Sequence, residues 1–98
     1  MPKPQHDPLT DVQVRALRSG TIPIDVRDGE LRGLILTILP SGLKQFSVRY
    51  RFQGKQRRLL LGEYPSVGPE EARKRARRAL SAVDDGRDPA GERRAAKG

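Results

Sequence analysis

The sequence predicts an α+β fold: a three-stranded antiparallel β-sheet packed against a C-terminal α-helix, with a short N-terminal helix ahead of the sheet. Three observations lead there. Residues 44 to 62, KQFSVRYRFQGKQRRLLLG, alternate apolar and polar groups around Gln53-Gly54, the pattern of a β-hairpin with a tight turn. The apolar run Leu34 to Leu39 meets Pro40-Ser41-Gly42, a strong turn signal, and so supplies a strand that leads directly into the hairpin. Gly68-Pro69-Glu70-Glu71 then opens a segment whose alanines recur at helical spacing.

Taken in order, residues 1 to 8 hold three prolines without apolar periodicity and read as a flexible arm. Thr10 followed by Gln13 matches a helix capping box, and Val12, Val14 and Leu17 offer a short apolar side over residues 11 to 18, which Ser19-Gly20 closes. Residues 22 to 28 stay ambiguous: Ile24 and Val26 alternate with charged residues as a short edge strand would, but no strand is assigned. Asp28-Gly29-Glu30 reads as a turn, and strands follow at 33 to 39, 44 to 53 and 55 to 61.

Turn type sets hairpin register. Pairing Phe52 with Lys55 places Tyr50 opposite Arg57, Val48 opposite Leu59 and Phe46 opposite Leu61, all on one side of the pleat. The opposite side then carries Gln45, Ser47, Arg49 and Arg51 from one strand and Gln56, Arg58 and Leu60 from the other, joined by Ile35, Thr37 and Leu39.

Over residues 69 to 85, Ala72, Ala76, Ala79, Leu80 and Val83 form a narrow stripe that suits close packing on a sheet, and Gly86 stands where the helix should end. The basic run Arg73, Lys74, Arg75, Arg77 and Arg78 reads as the solvated face of that helix ahead of a direct DNA contact, with flanking phosphate contact as the intermediate case, and Glu70–Lys74 and Glu71–Arg75 stand at the favourable pair spacing. Asp84 and Asp85 oppose the helix dipole at its C-terminal end. The charged residues 90 to 98 have little to bury and alone are expected to be a frayed linker, though their alanines could also begin a helix in a longer protein, which leaves one domain over 9 to 89.

Composition limits what such a domain does. With 98 residues, of which 35% are hydrophobic, the core must be thin, so an exposed binding surface is favoured over a deep catalytic cleft. The formal charge of +8 draws the protein to polyanions. Absence of cysteine excludes disulfides, thiolate catalysis and cysteine-ligated zinc. His6 is the only histidine and lies in the proline-rich arm, Tyr50 faces the expected core, and the carboxylates are scattered among arginines, so no catalytic or metal site and no cofactor is expected. The run from Leu34 to Leu39 is far too short to cross a bilayer and MPKPQHDP lacks the apolar stretch of a signal peptide, which makes the cytoplasm the expected location.

The polar side of the hairpin is the candidate site, because its outward residues from 45 to 58 include no carboxylate. A two- or three-stranded β surface fits the DNA major groove, where arginine binds guanine through two hydrogen bonds and glutamine reads adenine. Arg49, Arg51 and Arg58 are the first candidates for base or phosphate contact, and Thr37, Gln45, Ser47 and Gln56 are the polar readers. Lys44, Lys55 and Arg57 are expected nearer the DNA backbone, and Leu60 with Ile35 and Leu39 either meets thymine methyls or is covered by a partner.

Several motifs together carry a family resemblance: Pro40-Ser41-Gly42 with Lys44 after it, Arg49-Tyr50-Arg51 before Gly54-Lys55, Leu61-Gly62 with Tyr64-Pro65, Glu71-Ala72-Arg73, and Gly86 with Asp88-Pro89. In these the stretch from Leu9 to Pro89 resembles the N-terminal arm-type DNA-binding domain of phage and genomic-island integrases of the tyrosine recombinase family, in its P4-like branch. Phe46 stands where that family commonly has tryptophan, and Ile35, Leu39 and Leu60 make the expected DNA face more apolar than usual. The resemblance implies a sheet inserted into the major groove of arm-type double-stranded DNA sites, with core-binding and catalytic domains outside these residues. It further implies other integrase protomers or an excision factor as partners.

Two other readings compete. Small basic β modules also bind RNA, usually by stacking bases on exposed aromatics, whereas the aromatics here are expected to face inward. A protein-interaction module would instead use the patch of Ile35, Leu39 and Leu60.

Overall fold

The computed structural model describes residues 9 to 92; the arm at 1 to 8, with His6, and residues 93 to 98 lie outside them. The element order is α1 (Asp11–Ala16), β1 (Ile24–Arg27), β2 (Leu34–Ile38), β3 (Lys44–Phe52), β4 (Lys55–Tyr64) and α2 (Pro69–Asp84). The α+β class is as expected, but the sheet has four strands in the order β1-β2-β3-β4, every neighbour antiparallel. The added strand is the stretch left ambiguous above. Four residues are too few to show a period of their own; β1 is defined by its ladder to β2, which pairs Ile24 with Ile38 and Val26 with Leu36.

The hairpin turn forms with positive φ at both Gln53 and Gly54, the geometry that matches the twist of two paired strands. Phe52 pairs with Lys55, Tyr50 with Arg57 and Val48 with Leu59 as expected, but Phe46 pairs with Gly62 rather than Leu61. A β-bulge between Phe46 and Ser47 inserts one extra residue into β4 and carries the strand on to Tyr64. Gly62 makes this possible: its φ is +152°, and a Cβ there would stand 2.4 Å from Cγ2 of Val67.

One face of the sheet packs on α2. Leu34, Leu36, Ile38, Phe46, Val48, Tyr50, Leu59 and Leu61 meet Ala72, Ala76 and Ala79, with Leu9, Val14 and Val67 closing the rim. Small alanines let the helix approach the sheet closely, so even a thin core leaves Leu36, Ile38, Phe46 and Val48 fully buried. Ile35, expected on the exposed side, is buried, yet it belongs to the face turned away from α2 and not to this core.

Thr10 and Gln13 complete the capping box of α1. At its other end Lys44 Nζ donates to the carbonyls of Val14 and Arg15 at 2.7 and 2.9 Å. The end of α2 is closed by Gly86 N–H on the Val83 carbonyl and Arg87 N–H on the Ala82 carbonyl, the paired bonds of a Schellman motif. Nothing in the structure explains Asp84 and Asp85 at that end. The chain then turns back onto the sheet. Tyr50 donates its hydroxyl proton to Asp88 and accepts from the Ala90 N–H, while Arg57 Nε lies 3.2 Å from Asp88 Oδ2. Residues 90 to 92, expected as the start of a linker, are helical.

Arg73 departs most from expectation. It is buried instead of solvated, and its guanidinium donates to Asp28 Oδ2 from Nε at 3.1 Å and to Asp28 Oδ1 from Nη2 at 2.7 Å. Nη2 also reaches the Leu9 carbonyl, at 2.6 Å. Asp28, fully buried at its side chain, further accepts from the amides of Leu9, Glu30 and Leu31. Burial pushes the Asp28 carboxyl up, but the Arg73 hydrogen bonds, the two strongest amide bonds and the Arg73 charge together hold it below the ordinary carboxylate value.

Arg73→Ala leaves a buried carboxylate without its countercharge and should cost about 3–5 kcal/mol in urea unfolding. Because the folded carboxyl of Asp28 titrates below its unfolded value near about 3.9, the contribution is complete above that pH and is lost as pH falls through the folded value. The urea midpoint should therefore hold level near neutrality and decline below about pH 4. Gly62→Ala should destabilise by about 1–3 kcal/mol through backbone strain alone, read in the same assay.

Candidate nucleic-acid interface

The face of the sheet turned away from α2 carries side chains from all four strands. Strand alternation and the register set its rows: Asp25, Thr37, Gln45 and Glu63 in one, Arg27, Ile35, Ser47 and Leu60 in the next, then Arg49 beside Arg58, then Arg51 beside Gln56 near the hairpin tip. Of the expected site residues, Thr37, Gln45, Ser47, Arg49, Arg51, Gln56, Arg58 and Leu60 do share this face. Lys55 is exposed at the turn.

Lys44 and Arg57 do not. Both belong to the pleat side that faces the helices, Lys44 as the cap of α1 and Arg57 beside Tyr50 and Asp88. Their positive charge is spent inside the domain. The inward parity of Arg57 was already visible in its pairing with Tyr50, whereas the partners of both residues come from distant segments.

The middle of the face is not a plain cationic surface. Asp25, contributed by β1, accepts from Thr37 Oγ1 at 2.6 Å and lies 3.7 Å from Arg49 Nη2 and 3.6 Å from Arg58 Nη2. Arg58 also donates from Nε to Ser47 Oγ at 3.1 Å and from Nη2 to Thr37 Oγ1 at 3.5 Å. To reach Asp25 from their own row, the Arg49 and Arg58 side chains must cross the row of Ile35 and Ser47. Both of those residues are buried although no helix covers them. Long arginine stems shield apolar surface in this way while the heads remain wet. Ser47 is therefore a support for Arg58, whose Nε its hydroxyl oxygen accepts from.

The absence of carboxylates noted for residues 45 to 58 is true of the hairpin but not of the whole face, since β1 adds Asp25 and the bulged end of β4 adds Glu63. The signal for Asp25 was its place between Ile24 and Val26, which turns it away from the core once the strand is paired. The side chains of Arg27, Arg51, Lys55 and Gln56 have no hydrogen bond or ion pair with other described residues and stand exposed. The basic residues of α2 are more occupied: Arg73 with Asp28, Arg75 with Glu71 at 3.0 Å, and Arg77 with Glu30 at 2.8 Å. Among the described residues no group of carboxylates, histidines or cysteines is placed to hold a metal ion, and no helix is long and apolar enough to cross a membrane.

Residues 9–96 match the arm DNA-binding domain family. The chain is 36% identical over 81 residues to the integrase of Shigella phage Sf6 and, to the same extent, to the prophage integrase IntS of Escherichia coli K12, covering 83% of this chain and 20% of each relative. It is 30% identical over 90 residues to the prophage integrase IntZ of the same strain, covering 92% of this chain and 22% of that protein. The chain thus spans about a fifth of the length of these curated relatives.

Proposed function

The chain belongs to the arm DNA-binding domain family, and on that premise we propose that it reads specific duplex sequences by laying the outer face of its sheet into the major groove. The observation that supports this most is the division of charge. Among the described residues, cations whose side chains have no partner or only a long ion pair, Arg27, Arg49, Arg51, Lys55 and Arg58, gather on the sheet face and hairpin tip; Arg73, Arg75 and Arg77 of α2 are paired with carboxylates, while Arg18, Arg32, Lys74 and Arg78 stand exposed elsewhere on the domain. The β3–β4 ribbon within the sheet suits the major groove, and its arginines and glutamines suit purine edges.

In this reading Arg51 and Gln56 are the leading base readers because they are exposed, adjacent and uncommitted. Arg49 and Arg58 read from the centre, Lys55 and Arg27 take phosphates, and Thr37, Gln45 and Leu60 complete the contact area. Within the whole protein the domain holds an integrase on the arm-type sites of its attachment DNA in the bacterial cytoplasm. Strand exchange belongs to the part of that protein outside this chain. The RNA reading is disfavoured because Phe46 and Tyr50 are buried against α2 and cannot serve as a stacking platform.

Binding-site selection on random duplexes gives the ligand for a direct test. Arg51→Ala should then weaken the selected duplex by about 1–3 kcal/mol in fluorescence anisotropy with the fold intact. Unchanged affinity would remove Arg51 from the reading set. With about five phosphates neutralised, log affinity against log salt should fall with a slope of about −4 to −5. A slope near zero, or stronger competition by single-stranded RNA than by duplex, would overturn the proposal.

A further inference from the structure

A carboxylate at the centre of a surface that meets a polyanion opposes binding, whatever the sequence of that polyanion. Asp25 is placed there by β1, with Thr37 donating to its Oδ1 at 2.6 Å so that Oδ2 turns toward Arg49 and Arg58. The two ion pairs are long, 3.7 and 3.6 Å, and their side chains are about 40% exposed, so they yield readily to a better partner. Arg58 is steadied at a second point by Ser47, which is itself buried.

From this arrangement we infer that Asp25 is a positioning residue for specificity: it sets which DNA sequences the sheet accepts by holding the Arg49 and Arg58 guanidiniums over Ile35 and Ser47 before DNA arrives. The inference rests on the sheet-in-groove reading given above. A free arginine gains from any phosphate within reach, which raises affinity for all sequences alike. An arginine restrained by a carboxylate gives up that gain and keeps its fork directed at one place, where only a matching purine edge completes its hydrogen bonds. Asp25 also penalises sequences that leave the arginines on itself, because the carboxylate then faces phosphate with no compensating contact. Its cost is shared by every duplex, and its benefit goes to the matching one.

The test uses Asp25→Asn, which keeps an oxygen for Thr37 and removes the charge, with anisotropy titrations of the selected duplex and a scrambled duplex of equal length. Scrambled-duplex affinity should rise, and the ratio of selected to scrambled affinity should fall about tenfold, the scale of one base pair's discrimination. Asp25→Glu, which keeps the charge but moves the carboxylate by one methylene, should lower the ratio without raising scrambled affinity. Thermal melts verify that both variants are folded, and if Asp25→Asn does not fold, Asp25→Glu decides alone. A ratio unchanged in the folded variants overturns the role of Asp25. Arg49→Ala and Arg58→Ala separate the two levels: if neither weakens binding to the selected duplex, the sheet-face reading itself fails, whatever Asp25 does.

Discussion

The fold hangs on the buried ion pair of Asp28 and Arg73. Those two side chains join three segments far apart in the chain: the start of the described N terminus at Leu9, the turn after β1, and the first half of α2. A core of this size has few large side chains to hold a helix in one orientation. The pair supplies that constraint, because its hydrogen bonds are satisfied in only one placement of α2 on the sheet. Burying a charge without such saturation is costly; here Asp28 is met by backbone amides as well as by the guanidinium. With α2 committed to one face, the other face of the sheet is left open across its full width.

How far the sequence reveals this architecture depends on whether the cause is local. The hairpin was legible because Gln53-Gly54 and the alternation on either side lie within twenty residues, and α2 because glycine, proline and two glutamates mark its start. The bulge at Gly62 was not, since it answers to Val67 folding back over β4. Strand β1 shows too short a pattern to outweigh a loop until β2 is beside it. Arg73 is hidden for the same reason: it lies in a run of five basic residues, next to the alanine stripe, and its partner is 45 positions away.

The site follows the same rule. Side-chain parity along the hairpin placed Arg49, Arg51, Gln56 and Arg58 together on one face, a consequence of the pleat alone. What charge composition does not show is allocation. Of the many basic residues, Lys44 caps a helix, Arg57 and Arg73 bind buried or half-buried carboxylates, and Arg75 and Arg77 are paired with Glu71 and Glu30, which leaves a smaller set open to a ligand. Arg27, Arg51 and Lys55 of that set lie on the sheet face and hairpin tip beside the Asp25-bound Arg49 and Arg58, and Arg18, Arg32, Lys74 and Arg78 stand exposed elsewhere.

Tyr50 lies between Arg49 and Arg51 on β3, and alternation sends it through the sheet to the opposite side, where it holds Asp88 and the Ala90 amide. The strand that carries the outward arginines is thus held from behind to residues 88 to 90 by the Tyr50 hydroxyl, with the Arg57–Asp88 ion pair of β4 as a second point, so one strand fastens the chain after α2 with one side and displays Arg49 and Arg51 with the other.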